Sequence, residues 1–267
     1  MEIFITGAAG FIGSHLSERL LAEGHSVTAI DNFDPFYPRA VKLDNLRQCL
    51  TSKKFRLHEG DITEIGSVIG EGSYKPDVVI HLAARAGVRP SIDNPSAYIS
   101  TNVRGTFAVL EWMKNTGCKK MIFASSSSVY GNNRIPFTEK DSVDAPISPY
   151  AFTKKSCELM NHTYYHLHGF SIINLRFFTV YGPRQRPDLA IHKFFRLIGD
   201  NKSIDIYGDG TTGRDYTYID DIISGIRSSV ERISLNGPLY EIINLGNSKP
   251  VQLSELVEAI ERQLNKS

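Results

Sequence analysis

The sequence predicts an α/β fold: a Rossmann-type doubly wound parallel sheet with a smaller C-terminal substrate-binding lobe. Three observations carry that prediction. Short apolar runs alternate with helically periodic segments up to about Val180, a glycine-rich loop joins the first run to the first helical segment, and the rhythm turns irregular afterwards. Alternating βα units place helices on both faces of a parallel sheet, so its strands are apolar throughout rather than on every second residue. A chain of 267 residues, 41% of them hydrophobic, can bury such a core and a second unit, and the division is drawn at 1–180 and 181–267.

The apolar runs at 2–6, 26–30, 54–58, 77–82, 119–125 and 170–177 are the predicted strands, with helices at 11–23 and 94–115 among the segments between them. A further helix is predicted over 149–168, where Ser148 can cap, Pro149 suits the first turn and Gly169 can close the end. Beyond "YGPRQRPDLA" the expected elements are helices at 188–199, 219–232 and 252–264 and strands at 203–207, 215–218 and 240–245. A cleft between the two units is where a ligand is expected.

Thirty basic and twenty-nine acidic residues give a formal charge of +1, so no global field draws the chain to nucleic acid or anionic lipid. Cys49, Cys118 and Cys157 are odd in number and widely spaced, which suits reduced thiols rather than a disulfide framework or zinc site. Met1 leads straight into Ile3-Phe4-Ile5 without a charged leader, and no apolar run approaches the length of about 18 residues that spans a membrane. The expectation is a cytoplasmic protein without a membrane partner.

Gly7-Ala8-Ala9-Gly10-Phe11-Ile12-Gly13 follows a strand and opens a helix. Glycines there let the backbone approach a pyrophosphate, which meets free amides and the positive end of the helix dipole. Asp31 ends the second run, where a carboxylate can bind both ribose hydroxyls and repel a 2'-phosphate, so NAD is favoured over NADP. Asp61 and Ile62 end the third run; an adenine contact and a simple helix cap by Asp61 are both open there.

Tyr150 and Lys154 stand four apart on the helix at 149–168, hence on one face. A nearby ammonium is expected to lower the phenol's pKa and make it a base toward a substrate hydroxyl. His162, His166 and His168 raise a metal reading, but nothing completes a ligand set and no metal is assigned. Phe177 and Phe178 read as core rather than as a stacking platform.

With these motifs in place the chain resembles an extended short-chain dehydrogenase/reductase of the nucleotide-sugar epimerase and dehydratase group. The resemblance covers nearly the whole chain and rests on "GAAGFIG", "DN" at 31, "GDI" at 60, "HLAA" at 81, "SSSSVYG", "SPYAFTK", "RFFTVYGPR" and "GDGTTGRDYTYIDD". It implies that Ser126 completes a catalytic set with Tyr150 and Lys154, and that Asn32, Leu82, Ala83 and Ala84 help to hold NAD. It implies a UDP-sugar substrate oxidised transiently at C4. Resembling dehydratases and decarboxylases carry acidic residues after the catalytic Ser/Thr; Ser127 and Ser128 stand there, which implies 4-epimerisation.

Neutral hydroxyls can hold a carboxylate without supplying a base, so the run resembles that of enzymes turning UDP-glucuronate into UDP-galacturonate. Thr179 and "RPDLAIHKF" from Arg186 support that branch, and Arg89 is another candidate for the sugar end. Arg214 matches the family's diphosphate-gripping arginine, with a surface ion pair to Asp215 or Asp220 as the alternative, and Lys193 with the segment around Ile204 is assigned to the uracil pocket. A neutral-sugar 4-epimerase and a non-catalytic NAD-binding sensor are the competing readings. A homodimer through the helices at 94–115 and 149–168 is implied by the resemblance alone, as are lobes interleaved along the chain and a chain running several tens of residues past the helix at 252–264.

Overall fold

The structure, a computed structural model, describes residues 1–70, 74–206, 210–235 and 237–266. In chain order it contains β1 (Glu2–Thr6), α1 (Phe11–Ala22), β2 (Ser26–Asp31), α2 (Arg39–Asn45), β3 (Phe55–Glu59), α3 (Ile65–Ile69), β4 (Val78–His81), α4 (Val88–Asp93), α5 (Pro95–Tyr98) and α6 (Gly105–Thr116). It continues with β5 (Lys120–Ser126), α7 (Pro149–His168), β6 (Ser171–Phe177), β7 (Thr179–Tyr181), α8 (Ala190–Gly199), β8 (Gly213–Tyr218), α9 (Ile219–Leu235), β9 (Tyr240–Leu245), β10 (Pro250–Gln252) and α10 (Leu253–Leu264).

Seven strands form one parallel sheet in the order β3-β2-β1-β4-β5-β6-β9. The chain leaves β1 toward β2 and β3, then returns to its other side as β4, so the strand order reverses between β1 and β4. In such sheets the carboxyl ends of those two strands part their helices to opposite faces and leave a ligand crevice. Ile3 pairs with Val27 on one side and Val78 on the other, and β4 and β6 are buried along their whole length.

Successive residues of β1 feed two apolar layers. Ile3 and Ile5 pack with Leu16 and Leu20 of α1 and with Ile222, Ile226 and Val230 of α9, whereas Phe4 packs on the opposite face with Leu110, Trp112 and Met113 of α6. Each such large side chain contributes on the order of 1.5–3 kcal/mol on burial. Helix α7 begins and ends as its sequence requires: the Ser148 hydroxyl accepts from the Ala151 amide at 3.1 Å, and Gly169 closes it at φ 64°.

Three expectations change. The helix predicted over 94–115 is interrupted by a π-helical turn at Ile99–Arg104, where the Asn102 amide donates to the Arg85 carbonyl and to the Thr153 hydroxyl, each at 3.0 Å. That tie between the β4 loop and α7 outweighs regular helix. Ser203 to Ile206 forms no strand, and Tyr207 lies outside the described residues. The stretch after 181 is not one spatial unit either. β9 pairs with β6 as the seventh strand of the large sheet and α9 packs beneath it, because their apolar residues complete its core. The rest contributes a three-stranded sheet, β10-β8-β7, and an α8–α10 pair with its own apolar cluster around Phe194, Ile198, Val257 and Ile260.

Candidate active site

A cleft of about 520 Å³ opens over the carboxyl ends of β1, β4 and β5. Gly7, Gly10, Phe11, Ile12 and Gly13 form one end of its wall, followed by Asp31, Asn32, Asp61 and Ile62, then Leu82, Ala83 and Ala84. Ser126, Tyr150, Lys154, Thr179 and Arg186 border it as well.

The glycine loop is packed so tightly that side chains are excluded. A Cβ on Gly13 would stand 2.2 Å from the Gly7 carbonyl oxygen, and one on Gly7, whose φ is +75°, would stand 2.8 Å from the Ala83 backbone. Helix α1 starts at Gly10 with neither a side-chain cap nor an acidic residue in its first turn. Its positive end therefore faces the cleft uncompensated, which suits a pyrophosphate.

The Asp31 carboxylate accepts from the amides of Ala9 at 2.9 Å and Phe33 at 2.8 Å, and keeps lone pairs for ribose hydroxyls. Burial raises its pKa, opposed by the Phe33 amide and the Lys42 charge. For Asp61 the cap is present: its carboxylate caps the 3-10 turn at Ile62–Glu64 by accepting from Thr63, and it also borders the cleft, where Asn32 donates to it at 2.8 Å. Burial acting alone would raise Asp61, but the hydrogen bonds from Thr63 and Asn32 hold it below the usual carboxylate range. These residues fit the adenosine diphosphate half of NAD.

At the other end, burial first and a hydrogen bond from Ser126 second set the state of Tyr150; burial wins and its pKa is raised. The expected lowering by Lys154 is not found, since that ammonium donates to the Ala124 carbonyl at 2.6 Å and lies over the Phe123 ring. Burial depresses Lys154 itself to about 8. The Ser126 hydroxyl also accepts from the Ser128 amide at 3.2 Å, capping the 3-10 turn Ser127–Tyr130.

The arginines separate. Arg184 pairs with Glu18 of α1 at 2.8 Å, whereas Arg186 borders the cleft, held by Asp188 at 2.8 Å and lying over the Phe36 ring. Ser127, Ser128, Arg89, Lys193 and Arg214 do not border it. The two serines turn away with the 3-10 turn, Arg89 sits exposed on α4, Lys193 sits on α8, and Arg214 sits exposed on β8. Asp215 does not pair with Arg214, because its carboxylate accepts from the amides of Asn247 and Ser248.

Sequence reasoning missed Arg85, which pairs with Asp34 across the cleft, and Lys42, which donates to the Asp34 carbonyl at 2.8 Å. It also gave no role to His81, whose ring bonds Thr6 at 2.7 Å and Thr106 at 3.0 Å while the Thr6 hydroxyl accepts from Ala83. Burial and the Lys154 charge push His81 down to about 3, so it is neutral and fixes the Ala83 backbone beside Gly7. Apart from "HLAA" itself, no sequence signal marked these contacts. Among the described residues no three metal-ligating side chains gather; His162 packs edge-on against Tyr240 at 4.9 Å. Phe177 lies in the core, and both it and Phe178 touch the cleft.

Residues 3–246 match the model of the NAD dependent epimerase/dehydratase family. A UDP-glucuronate 4-epimerase of Thermodesulfobacterium geofontis is 45% identical over 265 residues, spanning 98% of this chain and 80% of the relative. Protein CapI of Staphylococcus aureus is 43% identical over 286 aligned positions, spanning 100% of this chain and 84% of its own. Among solved structures, UDP-glucuronic acid 4-epimerase from Bacillus cereus in complex with UDP-glucuronic acid and NAD superposes with a TM-score of 0.91 at 36% identity, covering 100% of this chain and 84% of that one. The glycine loop with the Asp31 carboxylate beside it and the Ser126–Tyr150–Lys154 set on the wall of the same cleft thus have a common explanation: the chain belongs to the NAD dependent epimerase/dehydratase family.

Proposed function

We propose that the chain interconverts UDP-glucuronate and UDP-galacturonate by NAD-dependent 4-epimerisation. The observation that carries this reading is the engagement of the acids around the cleft. The carboxylates on its wall, Asp31, Asp34 and Asp61, are each engaged, by the Ala9 and Phe33 amides, by Arg85, and by Thr63 with Asn32, Asp188 is paired with Arg186, and Ser126, Tyr150, Lys154 and Thr179 bring no further acid to the wall. Elimination or decarboxylation would call for a further acid or base there; proton removal and return at one carbon does not.

When bound, NAD supplies a hydride acceptor and a positively charged ring. With NAD bound, Tyr150, beside Ser126, would take the proton of the C4 hydroxyl as a hydride leaves C4 for the cofactor, and would return a proton to that oxygen as the hydride comes back to the opposite face of the turned 4-keto sugar. Lys154, buried on the same helix face, keeps its ammonium on the Ala124 carbonyl and does not lower the phenol, so the cation that would favour phenolate is the positively charged ring of bound NAD. The 4-keto sugar of a uronate is a β-keto acid, and holding its carboxylate by neutral donors and Arg186 keeps the C5–C6 bond out of line with the carbonyl π system. Thr179 and Arg186 are the wall residues suited to that task, and Ser127, Ser128, Lys193, Arg214 and Arg89 would join only if the 3-10 turn, the smaller lobe and α4, respectively, move onto the substrate.

Incubating the protein with UDP-glucuronate and, separately, UDP-glucose and resolving the epimers tests the proposal. Conversion of the neutral sugar alone would overturn the uronate assignment, and conversion of neither would favour a sensor. A homodimer fits the same reading: Ile99, Phe107, Phe152 and Leu159 on the π-helical turn, α6 and α7 are 42–57% exposed. Light scattering reads that directly. No helix among the described residues is long and apolar enough to cross a membrane, and the buried free cysteines suit a reducing compartment such as the cytoplasm.

A further inference from the structure

Three consecutive residues at the end of β5 are tied to three successive turns of α7. The Ala124 carbonyl accepts from Lys154 Nζ at 2.6 Å, the Ser125 hydroxyl donates to Glu158 Oε1 at 2.6 Å, and the Ser126 hydroxyl stands close enough to the Tyr150 phenol to hold its pKa down against burial. Tyr150, Lys154 and Glu158 recur every four residues, so one face of the helix grips one strand end.

The middle tie is itself anchored. Arg176 of β6 donates through Nε and Nη2 to both Glu158 oxygens at 2.9 and 2.8 Å, and each side chain is 1% exposed. The Tyr130 ring covers the guanidinium at 4.8 Å, Phe137 stacks on that ring at 4.6 Å, and the Tyr130 hydroxyl donates to Asn244 at 2.7 Å. A fully desolvated ion pair is a weak source of stability compared with apolar packing of the same volume. What it adds is direction: a bidentate pair fixes the carboxylate plane.

We propose that Glu158, held by Arg176, is a positioning residue that acts through Ser125 to set the register of Ser126 against Tyr150 and supplies the negative charge facing Lys154. The proposal rests on the reading of Ser126 and Tyr150 as the proton-transfer pair. The groups facing the Lys154 ammonium are Cys157 and Glu158 from its own helix, the neutral His81 from β4, and the Ala124 carbonyl and Phe123 ring from β5, with Arg176 of β6 behind Glu158. Of these, Cys157 and Glu158 favour the charged amine.

Two variants test it. Ser125→Ala leaves the ion pair intact and removes only the tie; kcat is expected to fall about tenfold with KM for UDP-glucuronate within about twofold and NAD content unchanged, the pattern of a group acting in the transition state. A kcat within about twofold of wild type, accompanied only by a lower Tm, would mean a merely structural contact and overturn the alignment. Glu158→Gln keeps the shape and removes the charge. The pH dependence of Lys154 acetylation by trace acetic anhydride, followed by mass spectrometry, is expected to move toward acid by at least about one pH unit. An unchanged profile would overturn the charge assignment. Labelling needs no turnover, so it reads this proposal even if wild-type protein leaves UDP-glucuronate untouched, a result that would instead sink the proposed function.

Discussion

The two ends of the cleft are built in different ways. The proposed adenosine end is framed by backbone: a glycine loop that admits no Cβ at Gly7 or Gly13, the bare start of α1, and two carboxylates already fixed by amides and side-chain donors. The sugar end is framed by side chains from β5, α7, β7 and the loop carrying Arg186, and several groups assigned to it lie off the wall. Backbone-framed sites are complete before the ligand arrives, whereas side-chain-framed sites can leave part of their assembly to binding. Variants at the two ends should therefore fail differently.

The largest effect is expected at the sugar end. Tyr150→Phe removes the proton acceptor but neither packing nor the cofactor cradle, so kcat should drop roughly a thousandfold while NAD content stays at wild type. Epimer formation by chromatography and dinucleotide released on denaturation check the two halves. Unchanged activity would overturn Tyr150 as the base. At the adenosine end the matching change is Gly13→Ala, where the new methyl meets backbone rather than a movable side chain. NAD affinity by calorimetry should fall about a hundredfold or more, because the loop must open to relieve a contact of that kind. Retained affinity would show that the loop adapts and would erase the contrast.

The same contrast explains what could be seen in the sequence. The proposed dinucleotide cradle is contiguous and local, so spacing alone marked Gly7, Gly10, Gly13 and Asp31, which the fold brings to the cleft wall, as it marked all seven strands of the large sheet. The partners that brace the sugar end come from distant places: Arg85 meets Asp34 across 51 positions, and Arg186 lies over Phe36 from a loop 150 positions away. No periodicity encodes such pairs. The Tyr150–Lys154 geometry was legible because helical spacing is local, but their electrostatics were not. Burial, the leading cause of both pKa shifts, and the Ala124 carbonyl, which takes the Lys154 ammonium, are tertiary facts.

A third test asks how far the sugar end is assembled. Arg186→Ala should raise KM for the nucleotide sugar about tenfold, since a guanidinium on the cleft wall loses a charge-assisted contact. Arg214→Ala, exposed on β8 and off the wall, should change KM less than about threefold if the smaller lobe stays where it is. A KM increase for Arg214→Ala as large as for Arg186→Ala would show instead that the lobe closes onto the diphosphate.

The smallest effect concerns Asp31 and acid. Burial raises its pKa above that of the unfolded chain, so ionised Asp31 costs the free protein stability above the folded pKa, and that cost disappears as pH falls below the unfolded value. Dinucleotide binding depends on pH with the opposite sign, because ribose hydroxyls donate to the carboxylate and protonation removes an acceptor. NAD affinity should accordingly begin to weaken by several-fold at a pH above the ordinary aspartate pKa of about 3.9. In Asp31→Asn it should be lower throughout and flat over the same interval. Calorimetric titration across that range checks this. A wild-type profile as flat as the variant's would mean that Asp31 serves only the Ala9 and Phe33 amides, and that the adenosine end, too, is finished by its ligand.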